Sequence, residues 1–185
     1  MRRIINMANF DYAIRQTLKH EGGYNEIKGD TGGATNFGIS LRFLKSYAET
    51  AGWVDIDGSG FIDSSDIKNL TENQAKKIYY EEFWLKNKCH FIDNDEVSAK
   101  VFDMAVNMGS KQAIKLLQQA VNHMGFELKV DGVIGNATIS AINKLEGHVL
   151  AVLLRYECII FYQNLVKSKP DYIKFLKGWM NRAVS

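Results

Sequence analysis

One proline, two cysteines and four histidines are all that 185 residues contain of these types, and each scarcity excludes something. With a single proline, little interrupts the long periodic stretches, so a mostly helical chain is expected. Cys89 and Cys158 lack metal-site spacing and are too few for a disulfide scaffold, so they read as two buried free thiols. His20, His90, His123 and His148 share no zinc spacing. The charge balance is equally sparse: 23 basic against 21 acidic residues gives +2, with lysines and arginines scattered rather than massed. A nucleic-acid stripe is therefore not expected, although a slightly positive protein suits an anionic polymer such as bacterial cell wall. Arg2-Arg3 opens the chain, but Asn6, Asn9 and Asp11 break the apolar run that a secretory leader needs. No stretch reads as long enough to span a bilayer. These features imply synthesis in the cytoplasm without a signal peptide, no stable membrane insertion and, for a substrate outside, a holin-type or other non-Sec route.

What the chain does have is apolar mass: 46% hydrophobic residues, with ten Phe, eight Tyr and three Trp. That is ample for one domain, or a main lobe with a small subdomain. Phe10, Ala13, Ile14, Thr17 and Leu18 follow helical spacing behind Asn9 as a cap, which predicts a first helix to about His20. Gly29, Gly32, Gly33 and Gly38 predict a short irregular hairpin over 24–39. Ser40 predicts the cap of a second helix through Leu44 and Tyr47, ending near Gly52. A loop follows at 53–66. Thr71-Glu72-Asn73-Gln74 reads as a capping box opening a helix that carries Ala75, Ile78, Tyr79 and Phe83-Trp84. Further helices are predicted from Asp93-Asn94 to Gly109, over 113–124, through Thr138 to Leu145, over 148–167, and after Pro170.

Glu21 falls at the end of the first predicted helix, directly before Gly22-Gly23-Tyr24. Asp30 follows nine positions later at a glycine-rich turn, and Thr35 five beyond that. Two carboxyl groups on opposite walls of a cleft are the minimum equipment for cutting a glycosidic bond. One must keep its proton near neutral pH, which calls for partial desolvation; the other stays ionised at a polar turn and activates water. Glu21 suits the first role and Asp30 the second, with the Thr35 hydroxyl holding the water. The same residues also fit a solvated helix end and an ordinary turn. Spacing alone leaves that alternative open.

The stretch His20-Glu21-Gly22-Gly23-Tyr24, then Asp30-Thr31-Gly32-Gly33-Ala34-Thr35-Asn36-Phe37-Gly38-Ile39-Ser40, resembles the N-acetylmuramidases of glycoside hydrolase family 108, a group of phage endolysins and bacterial muramidases. The likeness continues through Leu70-Thr71 to Phe83-Trp84, through Phe102-Asp103-Met104-Ala105-Val106-Asn107-Met108-Gly109, and into Gln118-Gln119 and Asp131-Gly132-Val133-Ile134-Gly135-Asn136-Ala137-Thr138. It thus covers nearly the whole chain. The resemblance implies a mainly α, lysozyme-like fold with a short β-hairpin near the N-terminal active site. It also implies a catalytic region at 1–108 and a helical peptidoglycan-binding region at 109–185 packed on it. The implied reaction is hydrolysis of the β-1,4 bond between N-acetylmuramic acid and N-acetylglucosamine, with Glu21 as general acid. The order Glu, Asp, Thr also resembles inverting phage lysozymes, with one residue fewer before Thr35. Tyr24, Asn36, Asn107 and Trp84 are the candidate substrate contacts. Asn107 equally fits a helix-end residue, and Tyr79, Tyr80 and Trp84 equally fit a core stripe. Peptidoglycan is the expected partner and a monomer the expected state. Two rival functions remain: a lytic transglycosylase giving anhydro-muramic ends, and a non-catalytic wall-binding module.

A second motif stands apart. Asp55-Ile56-Asp57-Gly58-Ser59-Gly60-Phe61-Ile62-Asp63-Ser64-Ser65-Asp66 follows the EF-hand loop, with oxygen side chains at Asp55, Asp57, Ser59, Asp63 and Asp66, the Phe61 carbonyl, and Gly60 at the sharp turn. Aspartate stands last, where the longer glutamate is usual. An acidic surface loop is the alternative. The expectation is a structural Ca2+ that holds one wall of the cleft, with no cofactor for catalysis.

Overall fold

The computed structural model describes residues 9–19, 21–25, 33–51 and 54–185. Contacts group the chain into two compact units: Ile14–Tyr80, and Glu81–Ser185 together with the segment that ends at Ala13. Among the described residues the fold is mainly α with one two-stranded antiparallel hairpin, consistent with a lysozyme-like fold.

Helix α1 spans Phe10–Leu18, and Asn9 caps it as expected, its side-chain oxygen accepting the Tyr12 N–H at 3.1 Å. Within the 14–80 unit, its Ile14 and Thr17 are buried. Strands β1 (Thr35–Asn36) and β2 (Ile39–Ser40) pair with Thr35 opposite Ser40 and Asn36 opposite Ile39. Ser40 then opens α2 (Leu41–Ala51), its hydroxyl oxygen accepting the Phe43 N–H at 3.2 Å. The predicted 53–66 loop is shorter than expected, because α3 begins at Ser64 and runs to Asn69. Six residues make less than two turns, too few to show a period. Helix α4 (Glu72–Tyr79) starts at the predicted Thr71–Gln74 capping box.

Asn36 ties these pieces together. Its amide donates to the carbonyls of Ile67 at 3.0 Å and Leu70 at 3.3 Å, so the hairpin is pinned to the end of α3 and the entry to α4. The side chain is buried with both donors committed. This corrects the expectation that Asn36 contacts substrate: it is a staple inside the protein.

Tyr80–Leu85 forms a wide π-helical turn rather than a continuation of α4. In the other unit, Trp84 is 1% exposed and packs edge-on against Phe10 at 5.5 Å and Phe102 at 5.8 Å. The core alternative therefore holds for Trp84, and no face of it is free to stack on a sugar.

The same unit contains α5 (Asp95–Met108), α6 (Ser110–His123), α7 (Asn136–Ile142), α8 (Gly147–Ser168) and α9 (Ile173–Val184). Helix α5 is buried from Val97 through Ala105, and α6 and α8 pack on it. Burying Lys100 and Asp103 in that run requires partners. The Lys100 ammonium donates to the Arg182 carbonyl at 2.7 Å, and the Arg182 guanidinium lies 2.9 Å from the Asp103 carboxylate. Burial holds Lys100 below the usual lysine pKa, and pushes the Cys158 thiol up to about 11. Cys89 is likewise buried, and both thiols are free.

One expectation about membranes needs correction. Helix α8 is 22 residues long with mean hydropathy 1.5 in its most apolar window, enough by length and composition to cross a bilayer. Arg155 and Glu157 interrupt the run in sequence and conceal it. Its Leu150, Ala151, Leu154, Cys158 and Tyr162 are buried inside the protein.

Replacing Asn36 with alanine should cost about 1–2 kcal/mol of stability, since buried carbonyls lose their donor. Denaturant unfolding of the variant against the parent measures it, and indistinguishable midpoints would contradict the staple.

Candidate active site

The Glu21 side chain is half-buried just past α1, where its N–H bonds to the Leu18 carbonyl at 3.2 Å. Glu21 lines a cavity of about 270 Å³ together with Leu18, Gly22, Gly23, Phe37 and Glu72. Gly22 and Gly23 have open space where a Cβ would stand, so a bulky group can approach the backbone beside the acid.

The opposite constraint applies at Gly38. A Cβ there would lie 2.6 Å from the Tyr79 hydroxyl and closer still to the Glu21 carboxyl. Only glycine lets the hairpin turn press against the acid. Gly38 also has φ +76°, and Phe37 before it has φ +50°. Both central residues of the two-residue hairpin are thus left-handed, the combination that a type I′ turn demands. For a bulky aromatic such as Phe37 that conformation is strained by about 1 kcal/mol or more. It persists because the buried Tyr79 donates its hydroxyl to the Phe37 carbonyl at 2.8 Å. The strain delivers the Phe37 ring to the cavity wall.

The remaining predicted residues sort differently. Thr35 sits in β1, its hydroxyl donating to the Asn25 carbonyl at 3.4 Å, beside the backbone pair that joins Asn25 and Thr35. Tyr24 is exposed. Asp30 and His20 lie outside the described residues. Asn107, in the other unit, donates its amide to the Tyr162 hydroxyl on α8. The sequence reading did not single out Phe37 or Glu72 for this site. Phe37 carried a signal, since an aromatic before glycine between two short strands marks a strained turn. Glu72 did not: it reads as a first-turn helix acid and pairs with Lys76 at 2.6 Å.

A family model described as glycosyl hydrolase 108 matches residues 14–109, more than half of the chain. The chain belongs to glycosyl hydrolase family 108. A model described as a predicted peptidoglycan domain matches residues 112–184 of this family 108 protein. The solved structure of Brucella abortus SagA resembles it with a TM-score of 0.72 at 28% identity, over 95% of this chain and 89% of that one. No curated protein sequence matches it. As a family 108 member with a peptidoglycan domain, the protein is a glycoside hydrolase that acts on peptidoglycan.

Two further segments of the family 108 chain lie outside this cavity. In the Asp131–Gly135 segment, Gln118 of α6 donates to Asp131 Oδ1 at 3.0 Å and to the Val133 carbonyl at 3.1 Å, and accepts the Gly132 N–H at 2.9 Å. The Gln118 hydrogen bond also holds the Asp131 carboxyl below the usual carboxylate range. Ile134 points inward while Val133 is exposed. The segment is a tight turn locked to α6.

The Asp55–Asp66 loop has its acids together: carboxylate oxygens of Asp55, Asp57 and Asp66 lie within 4.8 Å of one another. Asp55 accepts the N–H groups of Ser59 at 3.0 Å and Gly60 at 2.9 Å. Asp66, fully buried, accepts those of Ile56 at 2.7 Å and Asp63 at 2.8 Å. Asp63 caps α3 through the Ser65 N–H. The Ser59 side chain, ahead of Ser65, holds Asp57 below the usual carboxylate range, so it stays ionised. Converging carboxylate oxygens with no cationic side chain in the loop fit a hard divalent cation.

Gly38→Ala should lower peptidoglycan turnover by about 100-fold, because the added methyl displaces the Glu21 carboxyl from its seat. Steady-state hydrolysis of purified wall measures this, and parental turnover would show that the turn does not position the acid.

Proposed function

We propose that the protein is an N-acetylmuramidase that hydrolyses the β-1,4 bond between N-acetylmuramic acid and N-acetylglucosamine, with Glu21 as general acid. The observation that carries this reading is the Glu21 carboxyl on the wall of an open cavity, flanked by glycines that admit a sugar and pressed from behind by the Phe37–Gly38 turn. In the step itself, Glu21 passes its proton to the glycosidic oxygen as the bond to the anomeric carbon breaks. Positive charge develops on the sugar ring, and a water attacks the anomeric carbon, losing its proton to a second carboxylate. The motif assigns that second role to Asp30, with Thr35 as the residue that orients the water and Tyr24 as a contact to the glycan. Attack from the face opposite the leaving group inverts the anomeric centre. Residues 14–109 supply the cutting and residues 112–184 the wall attachment in this reading. The working compartment is the periplasm or the cell wall, where the polymer lies.

Calcium has a structural place in the proposal. Asp55, Asp57 and Asp66 would hold it with the Ser59 hydroxyl and the Phe61 carbonyl, and the ion would cancel the mutual repulsion of the three carboxylates. The cation does not enter the reaction.

Purified peptidoglycan digested by the parent should release reducing N-acetylmuramic ends, identified by mass spectrometry, and Glu21→Gln should lose at least about 1,000-fold of that activity. Anhydro-muramic ends would establish a lytic transglycosylase instead, and an inert parent that still binds wall would leave only a binding module. Separately, calcium should raise the melting temperature and a chelator should lower it, with the products unchanged. A melting temperature indifferent to both would remove the ion from the account.

A further inference from the structure

We propose that the corner between α8 and α9 is a docking surface for the peptidoglycan strand, formed by Tyr172, Phe175 and Trp179 with Lys169 and Lys174 beside the rings. The inference deepens the wall-hydrolase reading, and rests on it for the identity of the polymer.

The corner is an aromatic cluster that the fold leaves partly exposed, with Tyr172 and Trp179 half-buried. Trp179 of α9 is anchored by stacking on Tyr162 of α8, ring centroids 5.2 Å apart and planes 17° from parallel. Phe175 meets Trp179 at 5.5 Å, and Tyr172 meets Phe175 at 6.0 Å and Trp179 at 5.9 Å. Three rings therefore hold one another rigidly, with the innermost fixed to the neighbouring helix. Yet Phe175 is 46% exposed and Ile173 beside it 60%. Core aromatics would be covered, and isolated surface aromatics would not be braced in this way.

Charge identifies the occupant. Residues 167–177 hold four lysines and one aspartate, a local balance of +3 against +2 for the whole chain. Two of these lysines are placed on the rings: the Lys169 ammonium lies 5.3 Å from the Tyr172 centroid and that of Lys174 lies 5.1 Å from the Phe175 centroid. A partner must offer flat apolar faces to the rings and anionic groups to the lysines. Peptidoglycan has both, in the C–H faces of its pyranose rings and in the free carboxylates of its stem peptides. An anionic lipid surface shares the charge, but rings braced edge-to-face suit a stacked sugar better than a fluid acyl boundary. The corner also lies inside the stretch that matches the peptidoglycan domain.

The test measures binding apart from cleavage. Full-length Glu21→Gln protein is co-sedimented with purified sacculi across a salt series, alone and with either Tyr172→Ala/Phe175→Ala or Lys169→Glu/Lys174→Glu added. The aromatic pair should raise Kd about fivefold, and the charge-reversed pair about tenfold with a flatter salt dependence. Thermal melts establish that each chain is folded. The two lysines are exposed, so their variant reads out the surface even if the aromatic variant unfolds. Parental binding by the folded lysine variant would overturn the proposal. So would tighter binding of the Glu21→Gln chain to phosphatidylglycerol vesicles than to sacculi. Release of muropeptides by Glu21→Gln would instead defeat the catalytic assignment and leave the binding result standing.

Discussion

A single hydrogen bond, from the Tyr79 hydroxyl to the Phe37 carbonyl, carries the candidate active site. It holds a two-residue turn in a conformation that Phe37 resists, and that turn is what brings the Gly38 backbone against the Glu21 carboxyl. Three other features of the 14–80 unit support this contact. Asn36 fixes the hairpin to the end of α3 and the entry to α4, the Thr71–Gln74 box sets where α4 begins, and α4 then presents Tyr79 on its buried face. A site that must hold a carboxyl within a few tenths of an ångström is here built on a helix and a braced turn rather than on a free loop.

This arrangement separates two kinds of glycine. Gly38 is required by contact, since any side chain would collide with the acid and with Tyr79. Gly22 and Gly23 face open space, so their value lies in what they admit rather than in what they avoid. One position is shaped by the protein's own interior, and the other two leave space open beside the carboxyl. A motif of this composition therefore serves packing and access within a few residues of each other.

Local chemistry was legible in the sequence, and distant chemistry was not. The Asn9, Ser40 and Thr71 caps were readable because each is decided by residues within a few positions. Glu21 was singled out because its neighbours follow the family pattern, and the structure places it on a cavity wall. Asn36 was misread as a substrate contact because its partners, Ile67 and Leu70, lie about thirty residues away. Trp84 was equally ambiguous until Phe10 and Phe102 enclosed it. Helix α3 escaped notice for its brevity, although its capping acids Asp63 and Asp66 had been noted as candidate metal ligands. The apolar length of α8 was hidden by two charged residues, one of which, Arg155, pairs with Glu96 on α5 at 2.7 Å.

The central claim is that the Tyr79–Phe37 bond aims the acid, and Tyr79→Phe tests it by removing the donor hydroxyl. With a soluble wall fragment as substrate, kcat should fall about tenfold or more while KM stays within about twofold, because the cavity keeps its shape while the proton donor loses its aim. Unchanged kcat in a folded variant would contradict the account.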